Sequence, residues 1–234
     1  MIDMHTHILY GIDDGAGDFM LALDMLGEEW KQGVRGVVMT PHYGPKFQCP
    51  LKEFLEERFQ KLCDKAYGKY PDMRLYLGNE AYYHENLISD LQEGRVLTMN
   101  HTQYVLVEFS FGESYSTIKY AVGELVYAGY IPIIAHIERY RSMLGKYDEV
   151  QELIDTGAYI QVNVESFLGG IFSKRTVFVK KLAKMNLIDF VASDCHDLID
   201  RRPNLQSGKK IIEKQTDFSK FTENAEKMLR GDYI

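Results

Sequence analysis

Two histidines two positions apart, His5 and His7, follow a short apolar stretch at the start of the sequence. In an extended chain, residues i and i+2 point to the same side, so both imidazoles can reach one metal ion. Asp14 follows in a loop flanked by Gly11 and Gly15, where the backbone can turn a carboxylate back towards the histidines. An isolated pair of this kind is more often part of an ordinary strand with surface histidines. A metal site is indicated only if other parts of the chain supply further ligands.

Histidines and acidic residues recur along the chain, each at the end of a different apolar, strand-like stretch. A lone residue of this kind is usually a solvated loop residue or a partner of a helix cap. The joint pattern indicates a shared site, because six of the seven predicted strands end this way and use five of the seven histidines. The further candidate ligands are His42, Glu80, Glu108, His136, Asp194 and His196.

The strand-like stretches alternate with segments of helical periodicity. Phe19, Leu23 and Leu26, for example, recur at helical spacing after Asp18, which is a plausible helix cap. Seven such units with a repeat of about 30 residues predict parallel strands joined by helical crossovers. An open doubly wound sheet would spread the polar strand ends along a line, whereas a closed barrel gathers them at one mouth. No linker interrupts the pattern, so we expect a single α/β barrel domain over residues 1–234.

Composition narrows the classes of partner. The 234 residues carry a net charge of −7 without a block of lysines or arginines, which argues against a nucleic-acid groove or an anionic membrane surface. No apolar run approaches the roughly 20 residues that span a bilayer, and the start of the sequence does not resemble a secretory signal. Three widely separated cysteines, Cys49, Cys63 and Cys195, suggest reduced thiols. We therefore expect a cytoplasmic protein.

The candidate ligands are five histidines and four carboxylates, which is too many for one four- to six-coordinate ion. They suit two or three ions, with a carboxylate such as Glu80 as a bridge. Mixed imidazole and carboxylate ligation without thiolate favours Mn, Fe or Zn. Without metal, the converging carboxylates would repel one another, whereas divalent ions would make the mouth positive. A positive mouth would attract a small anion such as a phosphate ester.

These motifs carry a family resemblance. Residues 1–7 (MIDMHTH) and 11–16 (GIDDGA) resemble the start of the bacterial tyrosine-protein phosphatases of the polymerase-and-histidinol-phosphatase (PHP) superfamily, which act in capsule and exopolysaccharide regulation. Residues 40–42 (TPH), 78–80 (GNE), 134–140 (IAHIERY) and 192–196 (ASDCH) are similar to the later motifs, in the same order. The match covers essentially the whole chain.

The resemblance implies a distorted TIM-like (β/α)7 barrel, the PHP fold, around three divalent ions that are usually manganese. His5, His7, Glu80 and Asp194 would hold one ion, Glu80, Glu108 and His136 a second, and Asp14, His42 and His196 a third. Asp13 is the alternative to Asp14.

By the same resemblance, Arg139 would contact the phosphate, together with a second arginine before a proline. Spacing points to Arg201 for that role, and the Arg-Pro context points to Arg202. The implied substrate is a phosphotyrosine protein, the phosphorylated tail of a membrane-associated tyrosine autokinase. Aromatic residues that follow the ligands could hold its aryl ring or could merely pack the rim: Tyr43, Tyr82, Tyr83, Phe109, Phe111 and Tyr140.

Three other functions compete with a metal-dependent tyrosine phosphatase. Cys195 and Arg201 have the spacing of thiol-based phosphatases, but the residues between them include two acids and no glycine to present backbone N–H groups to phosphate. A small-molecule phosphatase of the histidinol-phosphate type would use the same ligands. A metal-binding regulatory module would bind the ions without turnover, although a structural site tends to be closed and to need fewer ligands.

Overall fold

Short parallel strands form the centre of the fold. A computed structural model describes residues 1–47, 50–170 and 172–234. Within these ranges the strands are β1 (Ile2–Thr6), β2 (Gly36–Met39), β3 (His42–Tyr43), β4 (Arg74–Leu77), β5 (Glu80–Tyr82), β6 (Tyr104–Glu108), β7 (Ile131–Ile134), β8 (Tyr159–Asn163) and β9 (Phe190–Ala192). The helices are α1 (Phe19–Lys31), α2 (Lys52–Lys69), α3 (Leu87–Gln92), α4 (Tyr115–Tyr127), α5 (Tyr147–Asp155), α6 (Glu165–Leu168), α7 (Lys174–Lys184), α8 (Leu205–Ile212) and α9 (Ser219–Arg230), with single turns at Met99–His101 and Ile137–Arg139.

The strands curl into a distorted barrel with seven positions around it. Strands β1, β2 and β4 pair in that order, and so do β3, β5, β6, β7, β8 and β9. Strand β3 continues the line of β2 after two residues, and β5 continues that of β4, so each pair occupies one position. A parallel bridge between Thr6 and Cys195 places β1 beside the end of β9. The predicted distorted (β/α)7 fold is confirmed.

The two interrupted strands differ from the sequence prediction, which placed His42 and Glu80 just beyond strand ends. Each of these residues instead begins a new strand. Pro41 interrupts the first pair of strands because it has no N–H for the ladder. Gly78 interrupts the second pair where the chain passes Met99, because a Cβ there would lie 3.0 Å from the Met99 sulfur. Asn79 holds the two breaks together, since its Nδ2 donates to the Pro41 carbonyl at 2.9 Å.

The C-terminal segment packs against one end of the barrel. Ala225, Met228 and Leu229 of α9 pack into the apolar cluster that also contains Tyr104 and Phe190 from the strands. The Tyr104 hydroxyl donates to the Asp232 carbonyl at 2.7 Å, which fixes the C-terminal segment to the start of β6. The ends at which the strands begin are thereby covered, and the ends at which they finish form a mouth.

Several smaller expectations have definite outcomes. Asp18 caps α1, since its carboxylate accepts from the N–H groups of Met20 and Leu21 at 2.8 and 2.9 Å. The end of the chain is helical, and two helices, α8 and α9, occupy it. Cys63 and Cys195 are buried free thiols, and Cys49 lies outside the described residues. Among the helices of the described ranges, none has the length and apolar character to cross a membrane.

Candidate metal centre

The histidines and acids of the strand ends meet at the mouth of the barrel. Three overlapping groups have ligand atoms within 4.8 Å of one another: His5, His7 and Glu80; His42, Glu80 and Glu108; and His7, Asp14, His42 and His196. The two remaining candidates join them. His136 Nε2 lies 2.7 Å from Glu80 Oε1, and Asp194 Oδ1 lies 3.7 Å from His5 Nε2. The structure thus brings all nine candidate ligands into one site.

Glu80 lies at the centre of this site. Its Oε2 is 3.3 Å from His5 Nε2, 3.2 Å from His7 Nε2 and 3.0 Å from His42 Nδ1. The approach of His42 follows from strand register, because His42 of β3 is paired directly with Glu80 of β5. With His136 on its other oxygen, both oxygens of the carboxylate face imidazole groups and could each hold a metal ion.

The two adjacent acids of the first loop have different surroundings. Asp14 is exposed at the rim, with Oδ1 3.5 Å from His42 Nε2 and 3.4 Å from His196 Nε2. The Asp13 side chain is buried, and its Oδ2 accepts hydrogen bonds from His7 Nδ1 at 2.7 Å and from the His42 N–H at 2.9 Å. Its Oδ1 accepts from the Gly15 N–H at 3.0 Å. The geometry favours Asp14 as a ligand and Asp13 as the residue that orients His7.

Three histidines have one ring nitrogen engaged outside the cluster, which leaves the other directed into it. His7 Nδ1 donates to Asp13, and His196 Nδ1 donates to the Asp194 carbonyl at 3.0 Å. His5 Nδ1 lies 3.5 Å from the side-chain oxygen of Gln161. Each contact places a proton on Nδ1 and leaves Nε2 as the atom that could bind a metal ion, which is the arrangement that metal-binding histidines require.

The donor set fits divalent cations. Glu80 Oε2, Asp194 Oδ1 and His196 Nε2 are buried atoms that make no hydrogen bond with any of the described residues. Such atoms are costly when they have no partner, and they are rare in folded proteins. All three face other imidazole or carboxylate groups of the cluster. A cation would satisfy them together.

Two of the candidate ligands have a strained backbone. His136 has φ +31° and Asp194 has φ +53°, in the left-handed region that residues with a Cβ rarely adopt. Each lies two residues beyond the last residue of its strand, β7 or β9. The sharp turn directs the side chain over the mouth. Strain of this kind persists only where surrounding contacts hold it, and it is concentrated at functional sites.

The cluster has strong internal electrostatics. Burial and the neighbouring Glu80 carboxylate raise the pKa of Glu108 to about 8. Burial opposes the charged form of His7, but Asp13 and Glu80 outweigh it and hold the His7 pKa well above its ordinary value. Bound cations would change the pKa values of these carboxylates and imidazoles, because the charge of the ions would dominate the site.

Two arginines stand beside Asp194. Arg139 Nη1 lies 3.1 Å and Arg201 Nη2 lies 2.8 Å from Asp194 Oδ2. Both line the cavity of about 420 Å³ that opens above the cluster. Arg202 does not line this cavity and faces a neighbouring cleft instead. Of the two alternatives, Arg201 has the better position to contact an anion at the mouth.

The six aromatic residues singled out in the sequence divide into two groups. Tyr82, Phe109 and Phe111 line the cavity, whereas Tyr43, Tyr83 and Tyr140 do not. Tyr43 donates to Asp90 Oδ2 at 2.8 Å, and Tyr140 donates to the Ala135 carbonyl at 2.9 Å, so both hydroxyls have structural partners. Phe47, which the sequence did not single out, lies in the cavity with its ring stacked on His42 at 4.1 Å between centroids.

Cys195 does not belong to the cavity. Its sulfur lies 3.9 Å from Glu29 Oε1 in α1, and the side chain is fully buried. Burial, together with the nearby Glu29 and Asp3 carboxylates, raises the pKa of the thiol well above its ordinary range. A thiolate nucleophile needs the opposite environment. The spacing of Cys195 and Arg201 is therefore coincidental.

Two buried amides that the sequence reasoning missed connect the ligands. Gln161 Oε1 accepts from the backbone N–H of His136 at 2.6 Å, and its Nε2 donates to Asn163 Oδ1 at 2.9 Å. Asn163 Nδ2 in turn donates to Asp194 Oδ2 at 2.7 Å. Their spacing was a usable signal, because polar residues at i and i+2 on β8 repeat the pattern of His5 and His7 at the end of β1.

Comparison with known proteins assigns the chain to a family. A family model for capsular polysaccharide synthesis, CpsB/CapC, matches residues 1–230. The chain belongs to the CpsB/CapC family. Within it, the chain is 34% identical to the tyrosine-protein phosphatase CpsB of Streptococcus agalactiae serotype III over 246 aligned residues, which cover all of both chains. It is 33% identical to the tyrosine-protein phosphatase YwqE of Bacillus subtilis, covering all of this chain and 93% of that protein.

The fold of this CpsB/CapC protein is also that of solved structures. A chain from the crystal structures of YwqE from Bacillus subtilis and CpsB from Streptococcus pneumoniae, described as unique metal-dependent tyrosine phosphatases, matches with a TM-score of 0.92 at 31% identity, covering 100% of this chain and 96% of that one. A histidinol phosphate phosphatase from Lactococcus lactis matches with a TM-score of 0.59 at 13% identity, covering 92% and 93% of the two chains. The second likeness concerns the fold alone.

Proposed function

We propose that this CpsB/CapC protein is a metal-dependent protein-tyrosine phosphatase. The observation that carries the proposal is the convergence of nine imidazole and carboxylate side chains beneath a cavity with two arginines at its edge. The relatives named tyrosine-protein phosphatase, which match over the full length of this chain, support the same function.

Three divalent ions, of which manganese is the candidate and iron or zinc the alternatives, would occupy the cluster. His5, His7, Glu80 and Asp194 would hold the first, Glu80, Glu108 and His136 the second, and Asp14, His42 and His196 the third. When bound, such ions would lower the pKa of bound water and neutralise phosphoryl charge.

The residues of the chain would then bind and orient the phosphoryl group. The Arg139 and Arg201 guanidinium groups have the planar donor geometry that suits phosphate oxygens, and both reach the cavity. Asp194 Oδ2 holds both guanidinium groups in place, because it accepts a hydrogen bond from Arg139 and forms an ion pair with Arg201. Charge that develops on the equatorial oxygens would meet donors that are already in place.

The aromatic lining favours an aryl ester over an alkyl ester. Phe111 lies against Arg139, with the guanidinium carbon 4.4 Å from the ring centroid. Tyr82 and Phe47 line the same cavity, and Lys46 lies over the Tyr82 ring at 4.1 Å. A phosphotyrosine ring entering the cavity would find aromatic faces beside the arginines. A phenol also leaves a phosphate ester more readily than an aliphatic alcohol does, because the phenol pKa is only about 10.

The physiological substrate would be a phosphorylated tyrosine autokinase that takes part in polysaccharide synthesis. Membership of the CpsB/CapC family supports the link to capsular polysaccharide.

The decisive experiment combines metal analysis with activity. Purified protein should contain up to three divalent ions per chain by elemental analysis. It should hydrolyse phosphotyrosine peptides in preference to phosphoserine peptides and histidinol phosphate, and a chelator should stop the reaction. His5→Ala should abolish hydrolysis and Cys195→Ser should not. Bound metal without hydrolysis of any of these esters would instead identify a metal-binding regulatory module.

A further inference from the structure

A second cleft lies against the mouth and shares a wall with it. Arg139, Asp194 and Arg201 line both this cleft, of about 180 Å³, and the cavity above the metal cluster. On the far side the cleft is bounded by Arg175, in the first turn of α7, and by Arg202. We call it the arginine cleft. A group bound there would be a direct neighbour of the phosphoryl group held by Arg139 and Arg201.

The four arginines of this cleft differ in their partners. Arg139 and Arg201 are committed to Asp194. Arg175 and Arg202 are exposed, and neither side chain makes a hydrogen bond or ion pair with any other residue in the described ranges. Two guanidinium groups without partners therefore flank the cleft, in a protein whose net charge is −7.

The remaining lining of the cleft is polar and carries little opposing charge. Asn163 and Ser193 are nearly fully buried, and Ser166 and Asn204 complete the neutral lining. Glu165 is the acidic residue on the solvent side, where water and salt screen its charge. The four arginines outnumber the two carboxylates, Asp194 and Glu165. The cleft therefore has an excess of positive charge, whereas the whole chain has a net negative charge.

We propose that the arginine cleft is a substrate subsite that binds an acidic group next to the phosphotyrosine in the peptide. Guanidinium forks recognise carboxylate and phosphate alike, so the ligand is an oxyanion that two sources could supply. One source is an acidic side chain of the substrate, to which we assign the cleft, and the other is free inorganic phosphate. This inference rests on the proposed function, because it extends the same mouth to a second group of the same substrate.

The test uses matched peptides and matched variants. Each peptide pair contains the same phosphotyrosine with glutamate or glutamine at one flanking position, so the members differ by one charge at nearly constant shape. The enzymes are wild type, Arg175→Ala, Arg202→Ala and the double variant. Lys174→Ala is the control, since Lys174 is an exposed cation next to Arg175 on α7 that does not line the cleft.

We expect the wild type to prefer the glutamate peptide in kcat/KM by about fivefold at the best position, which corresponds to about 1 kcal/mol, the upper range for exposed ion pairs. The preference should fall to about twofold in each single variant, and to none in the double variant. Lys174→Ala should keep the wild-type preference. An equal loss in Lys174→Ala would show that general attraction, and not the cleft, sets the preference, and would overturn the proposal.

Two further measurements separate the possible failures. Inhibition by inorganic phosphate, measured on a small aryl phosphate, should be the same in Arg175→Ala as in wild type. If that inhibition weakens while the peptide preference stays, the cleft is a phosphate site and the proposal is wrong. Dissociation constants for the same peptide pairs with a non-hydrolysable phosphonate test the cleft without turnover. A binding preference without hydrolysis would refute the proposed function and retain the subsite, whereas equal dissociation constants would refute the subsite.

Discussion

Replacing Gln161 with methionine tests whether the buried amides hold the metal ligands in place. Gln161 is fully buried, and its oxygen accepts from the backbone N–H of His136 at 2.6 Å and lies 3.5 Å from His5 Nδ1. Methionine has a similar length and no comparable acceptor. The variant therefore removes the partner of the His136 backbone in its left-handed conformation, and it removes the contact that keeps the His5 proton on Nδ1.

The expected size of the effect follows from these contacts. A buried donor left without an acceptor costs about 1–3 kcal/mol. The His136 contact is short and should dominate, whereas the 3.5 Å contact of His5 is at the limit of a hydrogen bond. We expect the free energy of unfolding of the metal-free protein to fall by about 1–3 kcal/mol. We also expect the affinity for Mn²⁺ to fall by about 10- to 100-fold, as is typical when a partner behind a metal-binding histidine is lost.

Calorimetric titration of chelator-treated protein with Mn²⁺ measures the affinity, and urea unfolding in chelator measures the stability. Tyr104→Phe is the matched control, because it removes a buried hydroxyl that donates to the Asp232 carbonyl at 2.7 Å at the opposite end of the barrel. This control should lose stability and keep its Mn²⁺ affinity. If Gln161→Met also binds Mn²⁺ as tightly as wild type does, the amide has only a structural role and the reasoning is refuted.

Three further predictions concern the metals, the aryl ring and pH. Chelation should lower the melting temperature as well as abolish hydrolysis, because ions that bind the folded chain and not the unfolded one stabilise the fold; excess Mn²⁺ should restore both, and an unchanged melting temperature would argue against bound ions. Phe111→Ala should raise KM severalfold for phosphotyrosine peptides and leave that for phosphoserine peptides nearly unchanged; equal changes for both esters would exclude a role in aryl recognition. Burial raises the pKa of Asp189 to about 6 from 3.8, so its contribution to stability is complete below the unfolded value and is lost as pH rises through 6. In chelator, Asp189→Asn should lack this loss of stability between pH about 4 and 6. Urea unfolding of wild type and variant at the two pH values measures it, and an equal loss in both proteins would contradict the prediction.

Much of the fold could be predicted because its signals are local. The apolar runs of parallel strands and the cap of Asp18 depend on neighbouring residues, and both are present in the structure. The interrupted strands were missed because their cause is not local. Gly78 is required by its contact with Met99, which is about 20 residues further along the chain, and no periodicity records such a contact.

In the candidate site, too, local features could be predicted from the sequence and non-local ones could not. Strand ends could be recognised in sequence, and the barrel brings them together, so the nine candidate ligands could be named in advance. The choice between Asp13 and Asp14 could not be made, because adjacent residues in a loop have no periodicity to separate them. The choice between Arg201 and Arg202 depended on which guanidinium reaches Asp194, a contact set by the loop after β9.

The backbone strain and the amide network involve the same two candidate ligands. His136 and Asp194 are the two candidate ligands with left-handed backbone, and the network of Gln161 and Asn163 contacts both of them, one through its N–H and the other through its carboxylate. Strand β8, which carries both amides, ends without a histidine or an acid. This strand therefore contributes to the site by holding ligands from the strands on either side of it, β7 and β9, in conformations that they would otherwise leave.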